Sequence, residues 1–155
     1  MYKRQTSGGV QRECAVSFPI NYAQGLGRYL TGIDNVFFLA QIYKKDPMAV
    51  AEFVKTFSEL GDDFYGRISN YTPEQRSQFF ISLSYAIPFD MYLSGGTVIA
   101  GTGAFREKCR SYIQKLRQNA GIIITTKSPQ IVRMFCDDVY AVSYTHLTLP
   151  TKRIV

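Results

Sequence analysis

Residues 89–124 read FDMYLSGGTVIAGTGAFREKCRSYIQKLRQNAGIII, and three elements follow one another in them. Phe89 to Leu93 is short and mostly apolar, as a buried strand is, and Ser94-Gly95-Gly96 ends it. Ala104 to Gln118 then places Phe105, Cys109, Tyr112, Ile113 and Leu116 at helical spacing. Gly121 ends that helix, and Ile122-Ile123-Ile124 reads as the next strand. Downstream, Ser128-Pro129 opens a helix that runs to Cys136, and Val139-Tyr140-Ala141 offers a further strand. Strands alternating with helices in this way predict an α/β fold with a parallel sheet.

Upstream the chain is mainly helical. Glu13 to Pro19, ECAVSFP, reads as a short strand ending at its proline, and Asn21 to Arg28 is a glycine-containing loop. Thr31 to Tyr43 has helical spacing through Val36, Phe37, Leu39, Ala40 and Tyr43, with Thr31 and Asp34 as a capping pair. Asp46-Pro47 opens a second helix with the stripe Val50, Phe53, Val54, Phe57 and Leu60, which Gly61 closes. Asp62 to Tyr71 reads as a loop. A third helix then starts at Thr72-Pro73-Glu74-Gln75, with Thr72 as N-cap and Gln75 completing a capping box.

Both ends have a different character. MYKRQ at residues 1–5 and VSYTHLTLPT at residues 142–151 are similar to translated transposon-type sequencing adapter, one strand at each end. The natural segment is therefore expected to run from Thr6 to Ala141, with 1–5 and 142–155 as scars to be set aside. On β-propensity alone, VSYTHLTL would read as a strand. The correction matters for charge. The chain has 18 Lys and Arg against 12 Asp and Glu, but the scars hold Lys3, Arg4, Lys152 and Arg153 and no acids, which leaves 14 against 12. The basicity that would otherwise suggest nucleic acid thus largely disappears, and no nucleic-acid partner is expected. The one histidine, His146, also falls in a scar, so the natural segment has no histidine base or metal ligand. Cys14, Cys109 and Cys136 are scattered without CxxC spacing and read as reduced core thiols. The natural segment of about 136 residues suits one domain or most of one, 46% hydrophobic content supports a core, and no stretch approaches the ~20 apolar residues of a membrane span.

The motifs for common chemistries, GxxxxGK[ST], GxSxG and HExxH, do not occur. Read in order, however, several segments carry a resemblance: VSFP (Val16 to Pro19), LTGIDNVFF (Leu30 to Phe38), FVKTFSELGDDF (Phe53 to Phe64), FDMYL (Phe89 to Leu93), FREKC (Phe105 to Cys109), and the run from IIITTKS (Ile122 to Ser128) to FCD (Phe135 to Asp137). Together they resemble the ATP-binding subunit of ABC exporters for capsular polysaccharide and related glycans, over nearly all of 6–141. The resemblance implies an ABC-type P-loop NTPase fold. The region 31–86 would be its helical subdomain, followed by a strand-helix-strand-helix core. The first strand and P-loop would lie upstream of Thr6.

The family's signature motif aligns with Tyr71, Thr72, Pro73, Glu74 and Gln75. In the family this helix N-terminus holds the γ-phosphate of ATP bound to the opposite subunit, through free N–H groups and the helix dipole. Here Pro73 removes a donor and Glu74 brings a carboxylate to the phosphate's place; the same residues also read simply as a well-capped helix. The Walker B acids, which hold Mg²⁺ and polarise the attacking water, align with Gly95 and Gly96. The D-loop aspartate aligns with Thr102 and the switch histidine with Lys127, which reads more readily as an exposed lysine before a helix. Asp90, early on its strand, reads as structural, and an active enzyme using Asp90 and Lys127 in place of the missing groups is the weaker reading.

The resemblance therefore implies a cassette subunit on the cytoplasmic face of the bacterial inner membrane, with hydrolysis lost. Its partners would be a membrane permease and a second ATP-binding subunit, with ATP and Mg²⁺ as the family's cofactors, doubtful here. Phe18, Tyr22 and Tyr29 are the candidates for permease docking; the pairs Phe37-Phe38 and Phe79-Phe80 could add to a partner surface, but aromatics in helical stripes read more readily as core. The alternative is a cytoplasmic structural or adaptor protein of glycan synthesis or export with no nucleotide role.

Overall fold

The computed structural model describes residues 11, 13–21 and 25–141, and the backbone alone of 142 and 151–154. Three parallel strands form the sheet in the order β1 (Val16–Ile20), β2 (Met91–Ser94), β3 (Gly121–Ile124). Between β1 and β2 the chain makes a layer of three helices, α1 (Gly32–Ile42), α2 (Pro47–Ser58) and α3 (Pro73–Ala86). Two 3-10 turns, Gly61–Tyr65 and Ile68–Asn70, occupy the segment expected to be an open loop. The helix α4 (Gly103–Leu116) crosses from β2 to β3, and α5 (Pro129–Phe135) follows β3.

The caps form as the sequence predicts. Thr31 and Asp34 close a capping box on α1, Asp46 accepts from the Met48 amide ahead of α2, and Thr72 and Gln75 close a second box on α3. Four features differ. α2 ends at Glu59, in the left-handed region at φ 59°, rather than at Gly61. Lys108 of α4 holds the end of α2 there, its Nζ donating to the carbonyls of Thr56 and Phe57 and pairing with the Glu59 carboxylate at 2.8 Å. Gly121 belongs to β3 rather than ending α4. Cys14 is exposed, because it precedes β1, while Cys109 is buried as expected. β4 (Val139–Val142) does not extend the parallel sheet; it pairs antiparallel with β5 (Thr151–Ile154), which lies in the segment set aside as a scar.

β1 continues through Pro19 to Ile20, with one extra residue opposite β2 between Val16 and Pro19. A proline lacks the ladder donor, so an irregularity is expected there. The Ser17 hydroxyl compensates by accepting from the Leu93 amide at 3.0 Å. Asp90 joins the same two strands at their start, its carboxylate accepting from the Ala15 amide at 2.8 Å. That is the structural role expected of it.

Phe57 sits at the centre of an aromatic core against Phe53, Tyr85, Phe105 and Tyr112. α3 buries Phe79, Phe80, Ile81, Leu83 and Tyr85, on more than one face, because α2 packs on one side and β1 on the other. Each such aromatic contributes about 1.5–3 kcal/mol by leaving water. The two buried serines of this helix, Ser82 and Ser84, satisfy their hydroxyls on the carbonyls of Gln78 and Phe80.

Candidate functional site

The carboxyl ends of parallel strands are where open α/β sheets place ligands. Here β2 ends at Ser94, whose carbonyl accepts from the Thr125 amide at 2.9 Å and from the Thr125 hydroxyl at 3.2 Å. Gly95 is exposed beyond it. Gly96 turns back at φ +107°, a conformation strained for any other residue, and a Cβ there would stand 3.4 Å from the Thr125 carbonyl oxygen. Lys127, exposed, follows two residues later. The fold thus gathers Gly95, Gly96 and Lys127 at one end of the sheet. Lys127 brings a cation to that end, and the two glycines bring no carboxylate. No group of three or more metal-ligating side chains occurs among the described residues.

The α3 N-terminus is a second assembly. The Thr72 amide donates to the Gln75 side chain and the Gln75 amide to the Thr72 hydroxyl, so both donors are engaged within the helix. Pro73 has none. Glu74 is exposed and accepts from the hydroxyl of Thr102, the N-cap of α4, at 3.1 Å. Asp63 accepts from Gln75, adding a second carboxylate beside the same turn. Both acids oppose an anion there. Tyr71 does not face solvent with its neighbours. It is buried, donates to the Phe64 carbonyl, and has its hydroxyl pKa pushed up to about 12 by desolvation, with the Asp63 carboxylate adding to the rise.

The quoted motifs act largely as staples. Asn35 of LTGIDN is fully buried; its side chain accepts from the Gly27 amide at 2.8 Å and donates to the carbonyls of Gly27 and Thr31. A side chain at Gly32 would strike the Phe64 carbonyl and the Tyr71 hydroxyl, so only glycine allows α1 to approach that closely. In FREKC, Phe105 and Cys109 are core, and Lys108 caps α2.

Of the docking candidates, Tyr22 lies outside the described residues. Phe18 is half-buried, with its ring against Tyr43 and Phe89. It lines an apolar groove of about 200 Å³ together with Leu26, Phe38, Leu39, Ile42 and Tyr43. Tyr29 is 70% exposed, with the Arg28 guanidinium 5.2 Å from its ring centre. Phe79 and Phe80 are core and drop out as partner surface, whereas Phe38 stays exposed. Sequence reasoning did not find Ile42 or the arginines Arg28 and Arg76. The available signal for Ile42 was its place off the inward stripe of Val36, Leu39 and Ala40.

The chain's similarities agree with this geometry. The polysialic acid transport ATP-binding protein KpsT of Escherichia coli is 35% identical over 136 residues, covering 86% of this chain and 62% of that protein. The capsule polysaccharide export ATP-binding protein CtrD of Neisseria meningitidis serogroup B is 29% identical over 142 residues, covering 92% and 66%.

The chain has the fold of ABC-type ATP-binding cassettes and is similar in sequence to ATP-binding proteins of capsule polysaccharide export.

The chain spans less than two thirds of the length of those relatives. Its fold matches an ATP-binding cassette solved as a dimer in a post-hydrolysis state bound to ADP and phosphate. The TM-score is 0.61 at 18% identity, covering 81% of this chain and 56% of that one. No family model matches. No helix among the described residues is long and apolar enough to cross a membrane.

Proposed function

We propose that this chain is part of the ATP-binding subunit of a transporter exporting a capsular or related polysaccharide, and that it does not hydrolyse ATP. It would sit peripherally on the cytoplasmic face of the membrane, against a permease subunit and a second ATP-binding subunit. The relatives' names support the transport class. The groove at Phe18, with Tyr29 beside it, supports the docking of a permease, and Tyr22 is proposed to join them.

The observation that carries the loss of hydrolysis is the chemistry at the two assemblies. Gly95 and Gly96 cannot hold Mg²⁺ or polarise water. Thr102, in the D-loop aspartate's place, gives its hydroxyl to Glu74. Lys127 offers a donor but not an imidazole's donor and acceptor pair. At α3, Pro73 and Glu74 leave a terminus ill suited to phosphate. The residues present therefore do not fit the family's Mg²⁺ and ATP at these points. Loss of one charge-stabilising donor costs ~10²–10³ in rate, and several are absent together. Purified full-length protein is expected to show no magnesium-dependent ATP turnover above background; robust turnover would sink the reading.

The closed α3 terminus also favours a second reading, a structural or adaptor protein of glycan synthesis or export with no nucleotide role. Equilibrium binding of a non-hydrolysable ATP analogue separates the two: retained binding supports the silent cassette, and none supports the adaptor.

A further inference from the structure

A cavity of about 290 Å³ opens beside the apolar groove, lined by Leu26, Arg28, Ile68, Ser69, Arg76 and Phe80. Its apolar lining includes Ile68 and Phe80, both buried. Two guanidiniums reach it. Arg76 uses one Nη on the Tyr71 carbonyl at 3.1 Å, and Arg28 lies over the Tyr29 ring. Each guanidinium carries five donors, so most of that capacity is open among the described residues. The ion pairs among the described residues engage Lys108, Arg110 and Arg117; neither Arg28 nor Arg76 has a carboxylate partner there. Two unneutralised cations around an apolar hollow repel each other and select an anion, preferably a planar one that takes two parallel N–H bonds.

The neighbouring groove narrows what carries that anion. Leu26 lines both hollows, so they form one surface with an apolar half and a cationic half. An occupant filling both has an apolar face with an acidic group beside it.

We propose that Arg28 and Arg76 receive a carboxylate carried by the amphipathic segment of the permease that fills the Phe18–Phe38–Ile42 groove. This rests on the docking reading above and adds to it the charge of the partner.

The test uses the full-length protein co-expressed with its permease and captured from detergent-solubilised membranes. The variants are the pair Arg28→Glu with Arg76→Glu, and Phe38→Asp alone. Circular dichroism and the thermal midpoint verify folding, and the milder pair Arg28→Gln with Arg76→Gln replaces the reversal if that misfolds. The arginine pair is expected to lower recovered permease about tenfold, as losing a charge-assisted bidentate contact does. Changing one acidic residue of the permease's cytoplasmic segments to lysine is expected to restore recovery with the charge-reversed pair, or charge neutralisation there to make the Gln pair indifferent. Undiminished recovery with the arginine pair, while Phe38→Asp abolishes it, overturns the carboxylate and leaves the docking reading intact. Undiminished recovery with every variant overturns both. Arginine-dependent binding to phosphatidylglycerol–phosphatidylcholine vesicles without permease would reassign the cavity to lipid and overturn the proposal.

Discussion

Asn35 shows how much one side chain carries. Its amide is fully buried, and its three hydrogen bonds bind the glycine loop to the first turn of α1. Asn35→Ala leaves the Gly27 amide without its acceptor in a buried site and should destabilise the chain by roughly 3 kcal/mol, read as a lower midpoint in urea unfolding. A variant within experimental error of the parent would contradict the staple. The residue was legible only as part of a quoted motif. A polar side chain inside a helix has no period to betray it, and its partners on the Gly27 loop form by tertiary approach. Thr72, Pro73 and Gln75 were legible individually because a capping box is local in sequence. Tyr71, one residue away, aligns with the same signature motif, yet it turns inward to the Phe64 carbonyl, a contact the sequence does not display.

At the scale of elements, helix starts were readable and ends were less so. Asp46-Pro47 announced α2 by chemistry confined to two residues. Its end at Glu59 depends on Lys108, which is far along the chain, so Gly61 was the natural misreading. Lys108→Met keeps the apolar stem but removes the donors to the Thr56 and Phe57 carbonyls and the pair with Glu59. The expected cost is about 1–2 kcal/mol, with amide exchange in the last turn of α2 accelerated more than in α1. Equal acceleration in both helices would mean that Lys108 acts globally rather than as a cap. Strand pairing follows the same logic. The three parallel strands were foreseeable from alternation, but β4 was placed in the wrong sheet because pairing partners are chosen across space.

For the whole molecule, the buried tyrosines set an upper limit on pH. Burial raises the hydroxyl pKa of Tyr71 and Tyr112 from 10.0 to about 12, and lifts that of Tyr85 well above its ordinary value. Unfolding releases these hydroxyls to ionise at their ordinary value. Their contribution is therefore complete below pH 10 and is lost as pH rises towards about 12. The thermal midpoint should fall across that window, and Tyr112→Phe should make the fall shallower; a flat profile would contradict the burial of these rings. The α/β class and the helix layer were legible at this scale because hydrophobic periodicity reports them. The cavity between Arg28 and Arg76 was not, because it exists only once the glycine loop lies against α3. One contact between layers has a further consequence. The Thr102 hydroxyl on Glu74 ties the starts of α4 and α3 across the boundary between the sheet side and the three-helix layer. Any rotation that parts them must first break this link, worth about 1 kcal/mol, which makes the parted arrangement roughly fivefold rarer than it would otherwise be. The molecule thus has a weak latch, strong enough to bias a resting posture and weak enough for a partner to release.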